Sequence, residues 1–557
     1  MTPKRKMRKF NFTRNNLDKK EAGIERLLEI IPGACSWLIL SGMLAVSFYK
    51  PLLAAVIIIA FNLYWLFRLS YLTFFLVLSY LRLASEKGTE WMRLVNDLSR
   101  VEESRYYAIQ YTGELTSLKK MFSNWIHFRE FEYLKKNKIQ PPPLSGIFHL
   151  VIIPVVKEAR EVVEPGVKSI ISGDFPAGKI ILVIALEERA ALEVKEGVKA
   201  IRDKYQNAAY DFLVIEHPDG LVAEARVKGA NVTYAAKRMK DYLEEKGISP
   251  ELVLVSCFDA DTVAGPNYFS CLTYYFMVSP DRTKTSFQPI PVYHNNIWEA
   301  SGFARVLDIG SSFFQLIEAT NPEKLVTFSS HSMSFKALVE VGYWPVDLIS
   351  DDSAIFWKAF IHYNGGYRVI PIYVTLSMDV AHAGSWFKTA GNVYKQKRRW
   401  AWGVENFPIV IRGFLKAGNK IPLYDKIRHS FKLFEGHISW ATWPFLLIVI
   451  GWLPAVFAGR EFSNSVFYYS APRISAIIFH LASLSLVISV ILSLCLLPKK
   501  KVRNSLLKRV GFALEWSLVP VIAIFFSAIP ALDAQTRLMF GRYMEFWVTE
   551  KKRNDSR

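Results

Sequence analysis

Two acidic residues separated by one position follow a short apolar run. Asp259 and Asp261 come directly after the β-rich segment 252–258, where an extended strand would turn into a loop. Carboxylates at positions i and i+2 of such a segment can bind one hard cation, and that cation can bridge the two phosphates of a nucleotide. Solvated loop acids have the same spacing, so the motif by itself leaves both roles open.

A second acidic pair opens a helical pattern. Asp351 and Asp352 follow Ser350 and precede the amphipathic segment 353–363. Acidic residues are favoured at a helix N-terminus, where they cap the helix and interact with its dipole. A carboxylate at this position can also act as a general base toward a sugar hydroxyl. The pattern alone is compatible with either role.

A third motif combines basic and aromatic residues. Gln396, Arg399 and Trp400 lie in the segment QKRRW, residues 396–400. A basic amphipathic helix apposed to a membrane would have this composition. A fixed arginine can also neutralise a departing diphosphate, and a tryptophan face can stack on a sugar ring.

The elements around these motifs predict an α/β domain. Short β-rich runs, apolar on both faces, alternate with helical patterns, which is typical of a mostly parallel sheet. In such folds ligands bind at the carboxyl ends of the strands. The predicted strands are 149–156, 179–186, 211–216 and 252–258, and the predicted helices include 160–171 and 223–245.

The composition excludes several classes of protein. The chain has 557 residues, of which 51% are hydrophobic, and a formal net charge of +19. This content of apolar residues excludes intrinsic disorder. The chain has only four cysteines and no CxxC pair, which excludes a small disulfide scaffold. Most of the positive charge lies in 1–20, 498–509 and 534–557, beside apolar runs, which indicates anchors at an anionic membrane surface and no nucleic-acid partner.

Long apolar runs at both ends of the chain predict a multi-pass integral membrane protein. The runs are 33–49, 51–67, 69–81, 436–459, 474–497 and 510–532. The positive-inside rule places the N-terminus and the middle of the chain in the cytoplasm, most simply at the plasma (inner) membrane. The last run can cross the bilayer once, or it can be re-entrant where Pro520 and Pro530 break it.

These patterns divide the chain into five predicted regions. They are a basic cytoplasmic N-terminus with an amphipathic helix (1–32), a transmembrane hairpin (33–83), a cytoplasmic catalytic domain with an interface helix near 390–415 (84–430), a transmembrane or re-entrant region (431–533) and a cytoplasmic tail (534–557).

The order of the motifs resembles that of the membrane-embedded family 2 glycosyltransferases, the cellulose, hyaluronan and glucomannan synthases. The shared features are Pro154 in the first strand, the DxD of Asp259 and Asp261, the acidic pair, the QxxRW motif and the flanking spans. The tail adds a match to the FxVTxK gating loop of cellulose synthases. The resemblance implies a fold that combines an α/β, GT-A-like (Rossmann-like) cytoplasmic domain with an α-helical transmembrane region.

The resemblance also implies roles for individual residues. Asp259 and Asp261 would hold a Mg or Mn ion on the donor diphosphate, and Asp352 would be the catalytic base, with Asp351 beside it where the family usually has Glu. The resemblance implies that the acceptor and the diphosphate are contacted by Gln396, Arg399, Trp400 and His331. It implies that the nucleotide-sugar is bound by Pro154, Glu158, Glu187, Lys228 and Asn231, and that the gating loop is formed by Phe546, Val548, Thr549 and Lys551.

The sequence departs from the family at the nucleoside end. The second strand ends in Glu187 and Glu188, where the family usually has paired aspartates, and Lys157 precedes Glu158 where the family often has asparagine. The longer glutamate side chains would change the contacts to base and ribose, so the sequence leaves UDP- and GDP-sugar donors open.

The sequence therefore predicts an inverting, metal-dependent hexosyltransferase that extends a polysaccharide processively. One base, one in-line attack and no nucleophile for a covalent intermediate imply inversion. Two alternatives remain. One is transfer of a single sugar to a lipid-linked acceptor, and the other is a nucleotide-sugar-binding membrane sensor or scaffold without turnover. Each of them includes membrane lipids as partners.

Overall fold

The computed structural model describes residues 10–15, 17–99, 118–416, 420–457, 466–498, 506–545 and 547. The strands in this part of the chain are β1 (Phe148–Val155), β2 (Ile180–Glu187), β3 (Asp211–His217), β4 (Val253–Cys257), β5 (Val263–Ala264), β6 (Thr285–Val292), β7 (Ser332–Ser334) and β8 (Arg368–Ser377). The helices before β4 are α1 (Lys19–Tyr49), α2 (Pro51–Glu86), α3 (Trp91–Leu98), α4 (Leu118–Lys136), α5 (Arg160–Ile171), α6 (Leu192–Tyr205) and α7 (Lys228–Glu245). Those after β4 are α8 (Tyr268–Val278), α9 (Gly302–Ala319), α10 (Phe335–Val341), α11 (Asp351–His362), α12 (Trp386–Ala401), α13 (Asn406–Leu415), α14 (Leu423–Ile448), α15 (Leu453–Val456), α16 (Val466–Leu496), α17 (Leu506–Leu514), α18 (Val519–Ala523) and α19 (Ile529–Met539).

The strands form one mixed sheet in the order β3-β2-β1-β4-β7-β6-β8-β5. The first four strands in this order pair in parallel, and so do β6 and β8. Strand β7 is antiparallel to both of its neighbours, and β5 is antiparallel to β8. The predicted α/β class with a mostly parallel sheet is therefore confirmed.

Alternate residues of the inner strands enter two different cores. In β1, Val151 and Ile153 pack into the core beneath α5, whereas Leu150 and Ile152 pack into the core beneath α7. Successive side chains of a strand point to opposite faces, so a strand covered on both faces must be apolar throughout. Each such side chain stabilises the fold by roughly 1.5–3 kcal/mol. Tight packing on both faces fixes the carboxyl ends of β1, β2 and β4 at one edge.

The predicted helices agree with the structure to differing extents. The segment predicted over 160–171 is α5, whereas the helix predicted over 223–245 begins later, at Lys228. The predicted interface helix near 390–415 is two helices, α12 and α13, separated by the 3-10 turn Trp402–Glu405. This turn brings its last residue, Glu405, beneath the start of α11.

Among the described residues, four helices are long and apolar enough to span a membrane: Lys19–Tyr49, Pro51–Glu86, Ala476–Leu496 and Val510–Met539. The pair Leu423–Ile448 and Ile450–Val456, bent by 42°, is a further candidate. The boundary predicted between 32 and 33 is not a break in secondary structure, because α1 continues through Pro32.

Ion pairs join the α/β domain to the helices at the two ends of the chain. They tie α12 to α19, α13 to α1, and α9 to the 3-10 turn Glu515–Leu518. The pairs are Arg398–Asp533 at 2.9 Å, Arg412–Glu25 at 2.8 Å and Arg305–Glu515 at 2.6 Å. Since α12 carries the QxxRW motif, its contact with α19 positions that motif against the candidate span Val510–Met539.

Candidate active site

A cavity of about 300 Å³ lies beyond the carboxyl end of β4. It brings together residues from α7, the loop after β4, the start of α11, and α12. Of the sequence-predicted site residues, Lys228, Asp259, Asp351, Asp352, Gln396, Arg399 and Trp400 line it. The three motifs, which are far apart in the chain, therefore share one site.

Lys228 joins the two acidic motifs directly. Its ammonium donates to Asp259 Oδ1 and to Asp352 Oδ1, each at 2.8 Å. The lysine side chain is only 9% exposed. Burial opposes its charge, but the carboxylates of Asp259 and Asp352 outweigh burial and raise the pKa of Lys228 well above its ordinary value. Lys228 therefore stays charged and holds both carboxylates at one point.

The position of Lys228 depends on the glycine that follows it in α7. A Cβ on Gly229 would lie 2.2 Å from the carbonyl oxygen of Pro345 and 3.1 Å from Cβ of Asp351. Only a residue without a side chain lets the N-terminus of α7 approach the acidic pair this closely. The resemblance implies that the segment beginning at Lys228 contacts the nucleotide-sugar. Because Gly229 packs closely against Asp351, the same segment also positions the start of α11.

The two aspartates of the DxD motif have different surroundings. Asp259 accepts a hydrogen bond from Ser329 Oγ on its second oxygen, and its N–H donates to Ser330 Oγ at 3.2 Å. Asp261 is buried, and its Oδ2 accepts from the N–H of Asp379 at 2.8 Å. Asp259 thus faces the cavity, whereas Asp261 lies behind it.

The residues present fit a hard divalent cation. The Asp259 carboxylate already binds one positive charge from the side of the cavity, the ammonium of Lys228 on its Oδ1. Among the described residues, no three His, Cys, Asp or Glu side chains form a metal site by themselves. Mg²⁺ is often held by one or two carboxylates together with substrate phosphates, which is the set that Asp259, Asp261 and a donor diphosphate would supply.

Burial distinguishes the two residues of the acidic pair. Asp351 is 2% exposed, and its Oδ2 has no hydrogen-bond partner among the described residues. The side chain of Asp352 is 26% exposed and reaches the cavity. Burial, and then the charge of Asp352, raise the pKa of Asp351 well above its ordinary value, so Asp351 favours its neutral form. Of the two, only Asp352 has the exposure that a base acting on a bound substrate needs.

We expect Asp351→Asn to change how stability depends on pH. The folded state binds the Asp351 proton more tightly than the unfolded state does. The stability that this proton binding gives the fold is therefore complete below the unfolded pKa of about 3.9, and it is lost as the pH rises from there through the raised folded pKa. Relative to wild type, Asp351→Asn should therefore gain stability between pH 5 and pH 8, measured as the thermal midpoint in detergent. The control is Asp241→Asn, on the exposed face of α7. An equal difference in midpoint at both pH values would contradict the assignment.

The QxxRW motif points its polar residues into the cavity. Trp400 packs edge-on against Phe328, with ring centroids 5.9 Å apart. Gln396 is buried, and its Oε1 has no partner among the described residues. Lys397 pairs with Asp308 at 3.1 Å, and its ammonium also lies 3.6 Å from the centroid of the Trp400 ring. Arg399 and Trp400 both line the cavity.

His331 lies behind the DxD loop and outside the lining of the cavity. It is buried, its Nδ1 lies 3.0 Å from the carbonyl oxygen of Phe328, and its Nε2 has no partner among the described residues. Burial lowers the pKa of His331, so the ring favours its neutral form. These contacts suit a residue that shapes the loop over 328–331.

Apart from Lys228, the residues predicted for the nucleotide-sugar also lie outside the lining of this cavity, near the ends of β1 and β2. Pro154 pairs with Ala185 across the two strands, and Asn231 Nδ2 donates to the Ala185 carbonyl oxygen at 2.8 Å. Glu158 accepts from the N–H of Val156 and of Lys157, which fixes the loop after β1.

Glu187 ends β2 and lies between two basic side chains. Its carboxylate lies 3.3 Å from Arg189 Nε and 3.5 Å from His217 Nδ1. His217 ends β3, and its other ring nitrogen lies 3.0 Å from Glu224. Glu187 is thus already engaged within the protein.

Four residues of the predicted gating loop lie outside the described residues: Phe546, Val548, Thr549 and Lys551. Trp547 between them is described, and Lys395 Nζ of α12 lies 5.1 Å from its ring centroid.

Asp379 is a site residue that sequence reasoning missed. It lines the cavity, is buried, and accepts from Asn295 Nδ2 at 2.8 Å, while its N–H binds Asp261. Asp379 comes two residues after β8, just as the DxD motif follows β4. The sequence patterns did not predict a strand over 368–377, so they gave no reason to single out the polar residue that follows it.

Part of the chain matches a known protein family. Residues 254–497 match the family model described as glycosyl transferase family group 2. A poly-β-1,6-N-acetyl-D-glucosamine synthase of Staphylococcus aureus is 32% identical over 118 residues, which are 20% of this chain. The match spans about a quarter (24%) of that relative's length.

Solved structures of glycosyltransferases resemble the chain more distantly. One is a mannosyltransferase from Pyrobaculum calidifontis in complex with GDP-Man and Mn²⁺, with 16% identity, a TM-score of 0.40, and coverage of 71% of this chain and 98% of that one. Another is residues 1–349 of S. aureus TarS in complex with UDP, with 11% identity, a TM-score of 0.34, and coverage of 72% and 94%.

Proposed function

We propose that this chain, which carries a family 2 glycosyltransferase domain, moves a sugar from a nucleotide-sugar donor to a growing polysaccharide with inversion. The observation that carries the proposal is the cavity in which Lys228 contacts Asp259 and Asp352 at 2.8 Å each, and which Arg399 and Trp400 also line. It unites a cation-binding carboxylate, a base, a fixed positive charge and a stacking surface.

Each of these groups has a place in the reaction. Asp352 accepts the proton of the acceptor hydroxyl as that oxygen attacks the anomeric carbon. Lys228 and Arg399 stabilise the charge that develops on the departing diphosphate. Trp400 offers a face to the acceptor sugar. A Mg or Mn ion held by Asp259 and Asp261 would add charge stabilisation at the diphosphate. A single displacement from the face opposite the leaving group inverts the anomeric centre.

The cavity also reaches a helix of the membrane region. Lys432, Leu433 and His437 of α14 line it together with Asp352. Helix α14 belongs to the bent pair that is a candidate span. This continuity supports a product that passes from the catalytic domain, 84–430, toward the bilayer. We place the protein in the plasma membrane with this domain in the cytoplasm.

A second candidate is transfer of one sugar to a lipid-linked acceptor. A mostly apolar cavity of about 710 Å³ lies between α1, α2 and α14 and favours it, because a lipid chain could occupy such a space. Product length separates the two candidates, since a processive synthase releases long chains and the alternative adds a single sugar.

The test is incubation of membranes with a panel of UDP- and GDP-sugars, with nucleotide release and product size as readouts. We expect one donor to give nucleotide release together with a polymer. Nucleotide release with a single-sugar lipid product would favour the second candidate, and no release from any donor would contradict both.

The predicted gating loop gives an expectation for the tail. If the loop closes over the donor, Lys551 meets the diphosphate and Lys552 does not. Closure would also exclude water and limit hydrolysis of the donor. Lys551→Ala should therefore lower the rate of transfer severely and Lys552→Ala only mildly. A basic membrane anchor would make the two variants equivalent.

The same expectation requires a cytoplasmic tail. Labelling of Ser556→Cys with an impermeant thiol reagent tests this, in a background where the exposed Cys495 is replaced by serine. Labelling should require permeabilised cells. Labelling from the outside of intact cells would contradict both the topology and the gating role.

A further inference from the structure

A buried carboxylate holds the loop that leads into the acidic pair. Glu405 is 1% exposed and ends the turn after the QxxRW helix. Its Oε1 accepts from the N–H of Ile349 at 3.0 Å, the N–H of Ser350 at 2.9 Å and the Oγ of Ser350 at 2.8 Å. These groups directly precede Asp351 and Asp352. The position of Asp352 therefore depends on Glu405.

The other oxygen of Glu405 binds a residue from the far end of the chain. Arg14 Nη1 lies 3.2 Å from Glu405 Oε2, which also accepts from Trp402 Nε1 at 2.9 Å. Burial raises the pKa of Glu405, and the charge of Arg14 opposes that rise. Removing one partner of a buried ion pair is strongly destabilising, so Arg14 stabilises Glu405 in the position from which it accepts the hydrogen bonds of Ile349 and Ser350.

Arg14 belongs to a segment that contacts the same loop, residues 347–350, through Asp347. We call residues 10–15 the N-terminal strap. Asp347 accepts from Thr13 Oγ1, from the N–H of Arg14 at 3.3 Å and from Asn15 Nδ2 at 3.2 Å. Phe12 of the strap is buried in the core of the α/β domain. The strap is thus fastened both to the core and to the loop that carries Ser350.

Arg14 also contacts the C-terminal tail. Its guanidinium lies 4.3 Å from the centroid of the Tyr543 ring. The Tyr543 hydroxyl donates to Glu29 of α1 at 2.9 Å. Tyr543 comes three residues before Phe546, where the predicted gating loop begins. One side chain therefore touches the tail and, through Glu405, the loop before the base.

We propose that Arg14 is a positioning residue that couples the N-terminal strap and the tail to Asp352 through Glu405. The proposal rests on the proposed function, in which Asp352 is the base. Arg14 touches no substrate. It acts by fixing the loop 347–350, and movement of the tail around Tyr543 is transmitted to the base through the guanidinium.

The test uses full-length protein in detergent and a double-mutant cycle. We expect Arg14→Gln and Glu405→Gln each to lower kcat about 10- to 100-fold, since displacement of a reacting group by about 1 Å has an effect of this size. The Kd of UDP or GDP, measured by calorimetry, should not change. The double variant should be no slower than the slower single variant, because both substitutions break one contact. Arg14→Lys keeps the charge and should restore part of kcat.

Matched variants separate positioning from folding. Arg238→Gln makes the same substitution on the exposed face of α7, where the side chain contacts Tyr234 of the same helix, and it should leave kcat near wild type. Tyr543→Phe keeps the ring beneath Arg14 and should be milder than Tyr543→Leu. If Arg14→Gln does not fold, Arg14→Lys and the Tyr543 pair supply the comparison.

The outcomes distinguish this inference from the proposed function. If Asp352→Asn loses transfer but the Arg14 variants and Tyr543→Leu keep wild-type kcat, the coupling is wrong and the base assignment stands. Additive effects of Arg14→Gln and Glu405→Gln would also overturn the coupling. If Asp352→Asn keeps its rate, the proposed function itself fails.

Discussion

Asp352→Asn should retain the donor and lose transfer. The amide is nearly isosteric with the carboxylate but cannot accept the proton of the acceptor hydroxyl. Loss of a general base typically lowers kcat about 10²- to 10⁴-fold. Donor binding should persist, because Lys228 remains held by Asp259 at 2.8 Å. The measurements are the initial rate of transfer and the Kd of the nucleotide.

Asp351→Asn is the matched control for this substitution. It makes the same chemical change one residue earlier, at a side chain that is buried and favours its neutral form. We expect it to keep most of the transfer activity. If Asp351→Asn loses transfer and Asp352→Asn keeps it, the base has been assigned to the wrong carboxylate.

Asp259→Ala and Asp261→Ala should each abolish turnover, and EDTA should abolish it reversibly in the wild type. Without a cation on the diphosphate, the charge of the leaving group is poorly screened, and we expect the rate to fall by about 10³-fold or more. Addition of excess Mg²⁺ or Mn²⁺ should restore the wild type after EDTA but not the variants. Nucleotide release reports the rate.

The two variants need a structural control because Asp261 is buried against the backbone of Asp379. Asp281→Ala, on an exposed turn, removes a carboxylate without touching the cavity and should keep full activity. Thermal midpoints of the Asp259 and Asp261 variants show whether the fold survives. Full wild-type activity in excess EDTA would show that turnover needs no divalent cation.

The sequence by itself determined the class of fold and the position of its motifs. Strand and helix patterns depend on local periodicity, so β1 to β4 and α5 were predicted almost to the residue. The helices that are long and apolar enough to span a membrane were predicted because about 20 apolar residues are needed to cross a bilayer, whatever the rest of the chain does. The DxD, acidic-pair and QxxRW motifs were found because each is contiguous. The roles of the gating-loop residues remain a prediction, as do the roles of the nucleotide-end residues.

Only the tertiary structure decided how the motifs meet. Lys228 and Asp352 are 124 positions apart, and no local pattern indicates that one ammonium bridges Asp352 and Asp259. Local periodicity could not separate Asp351 from Asp352, because adjacent residues share one pattern, and only the family resemblance named Asp352 as the base. The burial of Asp351, whose Cβ lies close to Gly229, is a feature of the packing. Arg14 and Glu405 lie 391 positions apart, and each has an unremarkable sequence context. Contacts of this kind depend on how helices and strands pack, and periodicity along the chain carries no information about them.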